Sequence, residues 1–165
     1  MIFEYKGKQY PEYIRQGNAA KHIVPFAEHF CKGDGLDIGG TREWTFPGSV
    51  IVNPIVNQHD AYNLPDNESG WDYIFSSHCL EHVPDYVKAL EIWLEALRPG
   101  GHLFLYLPHP EMEYWLPQNC RKHVHRFDPL EVMKLLKDLG YEDVLHSQRD
   151  LYWSFAVVGR KAYNG

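Results

Sequence analysis

No run of about 18 or more apolar residues occurs in this chain, so it offers no segment of the length a bilayer core demands. The opening MIFEYKGKQY lacks a basic stretch followed by an apolar one, and no secretory leader is expected. Cysteine is scarce: Cys31, Cys79 and Cys120 are odd in number, far apart, and form no Cys-x-x-Cys pair of the metal or redox kind. Free thiols in a reducing compartment follow, and with them a soluble, cytoplasmic protein. Positive charge is in deficit as well. A formal net charge of −6 sets the surface against phosphate backbones and argues against a nucleic-acid partner. Repeats and low-complexity tracts are absent too.

What is present suits one domain over residues 1–165, since 165 residues with 44% hydrophobic and 15% aromatic content can bury a real core. Residues 1–33 read as an N-terminal helical segment and 34–165 as the core. In NAAKHIVPFAEHF (18–30) the residues Ile23, Phe26, Ala27 and Phe30 recur at helical spacing, with Pro25 set to kink or delimit the helix. GLDIG, SVIVNP and WDYIFSS are short apolar runs bounded by Gly, Pro and Asp, the mark of buried strands. From Asp85 to Gly100 the period lengthens: Val87, Leu90, Leu94 and Leu97 share a helical face, Asp85 caps it and RPGG ends it. HLFLYL (102–107) and SFAVVGRK (154–161) read as strands, and a helix over 129–139 is framed by Asp128, Pro129, Glu131 and Gly140. Strands alternating with helices predict an α/β, Rossmann-like, doubly wound and mostly parallel sheet of about seven strands with helices on both faces. The first crossover, between DIG and VIVN, is abbreviated and holds at most about one helical turn.

In such a sheet, ligands bind beyond the C-terminal ends of the strands. Asp37, Gly39 and Gly40 follow the first apolar run, and the glycines let backbone N–H groups approach a carboxylate or phosphate; an ordinary tight turn accounts for them equally well. Asn53 ends VIVN where nucleoside-binding folds place an acid for ribose hydroxyls. Asp60 could accept from an exocyclic amine, although an Asx-turn explains it alone. Ser76, Ser77 and His78 close WDYIFSS as a pocket wall. GGTREW lacks the Gly-x-Gly-x-x-Gly that a nicotinamide-dinucleotide enzyme requires.

The stretch GWDYIFSSHCLEHVPDYVKALEIWLEALRPGGHLFLYLPH (70–109), with HVHRFDPLEVMKLLKDLGY (123–141), resembles the class I S-adenosylmethionine-dependent methyltransferases. The likeness is greatest to small members encoded beside cell-surface polysaccharide enzymes. It implies S-adenosylmethionine as cofactor, with S-adenosylhomocysteine as product. Asp37, Gly39 and Gly40 would belong to the loop around its methionine part, Asn53 would stand at ribose, Asp60 and the backbone of Ala61 would hold adenine, and Ser77 and His78 would flank the sulfonium. Thr41 stands where the family places another glycine, and Asn53 replaces the ribose acid. A non-catalytic reading follows from these departures, namely a degenerate methyltransferase fold serving as a binding module.

Methyl transfer is an in-line displacement that needs placement more than a nucleophile, but a hydroxyl acceptor gains from a base. His109, directly after HLFLYLP, is the candidate catalytic residue. The acceptor expected is a small molecule or a sugar-type hydroxyl; the oligomeric state is left open. Tyr114 and Trp115 could stack on a sugar ring or pin the loop 109–126. Arg121, Lys122, His123 and Arg126 form a basic patch able to steer an anionic acceptor. Cys120, His123, His125, Glu111 and Glu113 match no metal-site spacing, and no metal is expected.

Overall fold

Residues two apart along a strand share a face, and here both faces find apolar cover. The computed structural model describes residues 1–16 and 19–163, so Asn18, the first residue of the expected leading helix, lies outside the described residues. The chain runs β1 (Ile2–Tyr5), β2 (Lys8–Pro11), α1 (Ala20–Ala27), β3 (Gly35–Ile38), β4 (Val50–Val52), β5 (Trp71–Ser77), α2 (Tyr86–Ala96), β6 (Leu97–Pro108), α3 (Pro129–Leu139), β7 (Tyr141–His146) and β8 (Ser154–Lys161). The main sheet has the order β4-β3-β5-β6-β8-β7, parallel except that β8 is antiparallel to both neighbours. The link from β7 to β8 is too short for a crossover, which forces that reversal.

Leu36, Ile38, Ile74, Leu103, Leu105, Phe155 and Val157 face one side, where Ala89, Leu90 and Trp93 of α2 and Val132 and Leu136 of α3 cover them. Phe75, Phe104, Tyr106, Ala156 and Val158 face the other, against Ala20 and Ala27 of α1. Helices therefore flank both faces. Both long helices are capped as their sequences predict: the Asp85 carboxylate accepts from Lys88 N–H, the Asp128 carboxylate from Leu130 N–H, and Gly140 ends α3 at φ +104°.

Two expectations are corrected. The main sheet has six strands among the described residues, not about seven, because residues 53–70 form turns held by their own side chains, with only an isolated Asp60–Asn63 bridge. The start of the supposed helical segment 1–33 is a hairpin, β1–β2, closed by Lys6 and Gly7 at φ 51° and 75°, the positive values a two-residue hairpin loop requires. The crossover between β3 and β4 is abbreviated as expected and contains no helix. Among the described residues, no helix is long and apolar enough to cross a membrane.

Candidate functional site

Asp37, at the C-terminal end of β3, is buried, and one carboxylate oxygen accepts from Phe46 N–H at 2.8 Å and from the Thr45 hydroxyl at 2.9 Å. Burial nonetheless pushes its carboxyl up to about 6, against those two hydrogen bonds. The short crossover is thus folded around this side chain. Two glycines follow because nothing larger fits: at Gly39, φ is +98° and a Cβ would lie 2.8 Å from Cβ of Cys79, while at Gly40 it would lie 2.8 Å from Asp37 Oδ2. Thr41 does not reach forward; its hydroxyl turns back on the N–H and carbonyl of Trp44.

Beyond these strand ends lie two cavities. One, of about 260 Å³, is lined by Asp37, Gly39, Gly40, Ser77 and His78 together with Trp44 and Trp115. The other, of about 510 Å³ and more apolar, is lined by Ile38, Val52, Ile55 and Val83 along with Gly39, Asn53, Asp60, Ala61 and His78. Gly39 and His78 belong to both, which makes them one bent crevice at the point where strand order reverses between β3 and β5. All eight residues read from the sequence as cofactor-binding line it.

Their side chains are not all free. Asn53 donates from Nδ2 to the Gly40 carbonyl at 3.0 Å and accepts from Ile55 N–H at 3.0 Å, so its amide braces the crevice floor. Asp60 accepts from Tyr62 and Asn63 N–H through one oxygen, the Asx-turn arrangement. The Ala61 carbonyl takes the Trp93 indole N–H at 2.8 Å, fixing that turn to α2.

His78 has φ 48°, a strained value for a residue with a side chain, and its N–H is held by the Tyr106 carbonyl at 2.8 Å. Its ring stands edge-on to Trp115, with Nε2 at 2.9 Å from the Ser154 hydroxyl. Burial, with His123 and His82 adding to it, holds this imidazole well below its usual range and therefore neutral.

His109 lines neither cavity. Its N–H is bound to the Trp153 carbonyl, its Nδ1 accepts from Glu111 N–H at 3.2 Å, and its ring faces a separate cleft with Met112, Leu116 and Phe127. The chain turns toward β8 after Pro108, which carries this residue away from the crevice. Tyr114 packs edge-on against Phe3 and Tyr5 and pins its loop to the hairpin, leaving Trp115 as the aromatic residue of that pair in the cavity.

Sequence reasoning passed over Glu81, buried in a 3-10 turn (Leu80–His82) after β5, whose carboxyl is pushed by burial up to about 8. Its only sequence signal is its place between Leu80 and His82, three residues after His78. His123, which joins it, comes from a distant loop that no local pattern connects to it.

Residues 15–146 match the family model described as a methyltransferase domain. A demethylmenaquinone methyltransferase of Staphylococcus epidermidis is 43% identical over 42 residues, which cover 26% of this chain and 17% of that protein. The fold is similar to human N-acetylserotonin methyltransferase in complex with S-adenosylmethionine (TM-score 0.65, 17% identity, 88% of this chain and 52% of that one). It is also similar to a Burkholderia thailandensis 1,6-didemethyltoxoflavin-N1-methyltransferase with bound 1,6-didemethyltoxoflavin and S-adenosylhomocysteine (TM-score 0.62, 17% identity, 88% and 77%). With four-fifths of its length matched by the family model, the chain belongs to the methyltransferase-domain family.

Proposed function

We propose that this chain transfers the methyl group of S-adenosylmethionine to a small-molecule acceptor. The observation that carries the reading is the bent crevice whose two arms meet at Gly39 and His78. The arm beside Asp37, Gly40 and Ser77 would take the methionine part, with backbone N–H groups near its carboxylate. The apolar arm, between Val52, Ile55, Ala61 and Val83, would take adenosine, and the free oxygen of Asp60 would accept from the adenine amine. Asn53 in this reading supports the ribose region through the backbone it braces. The sulfonium would lie at the junction, beside the neutral ring of His78, where a cationic imidazole would repel it.

The acceptor would enter along the wall of Trp115 and His78. A sugar or glycan-precursor hydroxyl, as in the polysaccharide-associated relatives, fits an aromatic wall, and the exposed Arg121 and Lys122 of the same loop would steer an anionic precursor. The three unpaired cysteines accord with a cytoplasmic setting. His109 is set outside the machinery, because its Nδ1 is occupied and its ring faces another cleft. Placement of acceptor and methyl about 3–3.5 Å apart then carries most of the rate.

A crystal structure with S-adenosylhomocysteine tests the reading. The expected result has the sulfur beside Gly39 and His78 and the adenine between Val52 and Val83. Ligand bound outside this crevice would contradict it.

A further inference from the structure

Glu81 is fully buried, and neither carboxylate oxygen has a hydrogen-bond partner among the described residues. A buried group of this kind is ordinarily paired or coordinated. Around Oε1 stand three imidazole nitrogens: His82 Nε2 at 3.8 Å, His78 Nδ1 at 3.9 Å and His123 Nε2 at 4.0 Å. These separations are too long for hydrogen bonds, so no shared proton links the groups.

The far sides of two rings fix what the near sides present. His82 Nδ1 meets the Lys122 carbonyl at 2.5 Å, and His123 Nδ1 meets the Trp115 carbonyl at 2.7 Å. Carbonyls only accept, so each Nδ1 carries a proton, and in the form that leaves Nε2 unprotonated its lone pair faces the carboxylate. In that form three ligand-type atoms converge on one point. Imidazoles oriented by an N–H to a backbone carbonyl are the usual support of metal ligands. The two segments are also clamped together, since Val124 and His125 N–H both donate to the Glu81 backbone carbonyl, at 2.8 and 3.3 Å.

From this geometry we propose that Glu81, His82 and His123 bind one divalent first-row transition ion, zinc being the best suited to two imidazoles and a carboxylate. Their ligating atoms lie within 4.8 Å of one another. Bonds of about 2.0–2.2 Å set tetrahedral ligands roughly 3.4 Å apart, so the ring-to-carboxylate separations need to close by about half an ångström and the widest pair by up to about 1.4 Å. This proposal departs from the expectation of no metal drawn from the sequence. Of the residues Cys120, His123, His125, Glu111 and Glu113, only His123 takes part; His125 Nε2 is spent on the Val83 and Pro84 carbonyls. His82, with 37% of its side chain exposed, lines the crevice, so the open position of the ion faces it. An ion there would acidify a bound acceptor hydroxyl, a role that rests on the methyl-transfer reading, whereas the site itself does not.

The test uses the full chain after dialysis against a chelator, titrated calorimetrically with Zn²⁺ and, for its visible absorption, with Co²⁺. One equivalent of either ion should bind. His82→Ala and Glu81→Gln should each weaken binding by about tenfold or more, with His125→Ala close to wild type. Should Glu81→Gln fail to fold by circular dichroism, the exposed His82→Ala carries the test alone. No saturable binding, or binding equally tight in His82→Ala, overturns the proposal. S-adenosylhomocysteine is titrated into the same metal-free protein: loss of that signal alone strikes the cofactor reading, and loss of ion binding alone strikes this site.

Discussion

Asp37 is a carboxyl group committed to a fold before any ligand arrives. Its ordinary value near 3.8 is raised by burial to about 6, so between those values the unfolded chain ionises while the folded one stays protonated. An acid whose folded value is raised lowers stability as pH climbs, and the change is complete above the folded value. The ligand-free protein should lose about 2 kcal/mol from this group between pH 4 and pH 6.5. Asp37→Asn keeps the acceptor for Phe46 and Thr45 and removes the titration, so chemical denaturation across that range should show a flatter profile for the variant. Equal slopes for the two proteins would show that Asp37 is ionised in both states.

The short crossover does with side chains what a longer one does with a helix. Between β3 and β4 the chain is held by Asp37 to Phe46, by Thr41 to Trp44, and across its end by Asn53, which ties Gly40 to Ile55. Asn53→Ala removes both ends of that tie and should cost about 1–2 kcal/mol in denaturant unfolding, with weaker S-adenosylhomocysteine binding. Unchanged stability would mean that the tie is solvent-replaceable. Elements of this protein were legible in sequence where their signal is local. The caps at Asp85 and Asp128 and the apolar runs of β5, β6 and β8 depend on neighbours along the chain. β7 escaped because it is an edge strand interrupted at Asp143, which has φ 49°, and its apolar alternation is short. The β1–β2 hairpin carried its sign in Lys6-Gly7 between alternating aromatics, a signal passed over in favour of a helical segment. The crevice residues were legible through their places at strand ends. The Asx-turn of Asp60 was readable there as well, but the hydrogen bonds of Asn53, read as standing at ribose, were not, since its amide is engaged with Gly40 and Ile55 in space. The cleft that His109 lines depends likewise on the turn toward β8, which no local pattern gives.

At the scale of the whole molecule, the N-terminal hairpin and the loop after β6 form one layer over the crevice. Tyr10, Ile14 and Met112 are buried there, with Phe3, Tyr5, Tyr114, Trp115 and Trp153 packed around them. That layer brings Ile14 and Trp115 to the cavity that Asp37 and His78 line from below. In the proposed reading this assembly holds the cofactor. Calorimetric titration of the full chain with S-adenosylhomocysteine tests it most directly. One-to-one saturable binding is predicted, weakened about tenfold or more by Gly39→Ala, because the added Cβ must displace Cys79 at a positive φ. Absence of heat and of any thermal stabilisation at ligand concentrations up to about 1 mM would contradict the account and leave a methyltransferase fold that does not bind its cofactor.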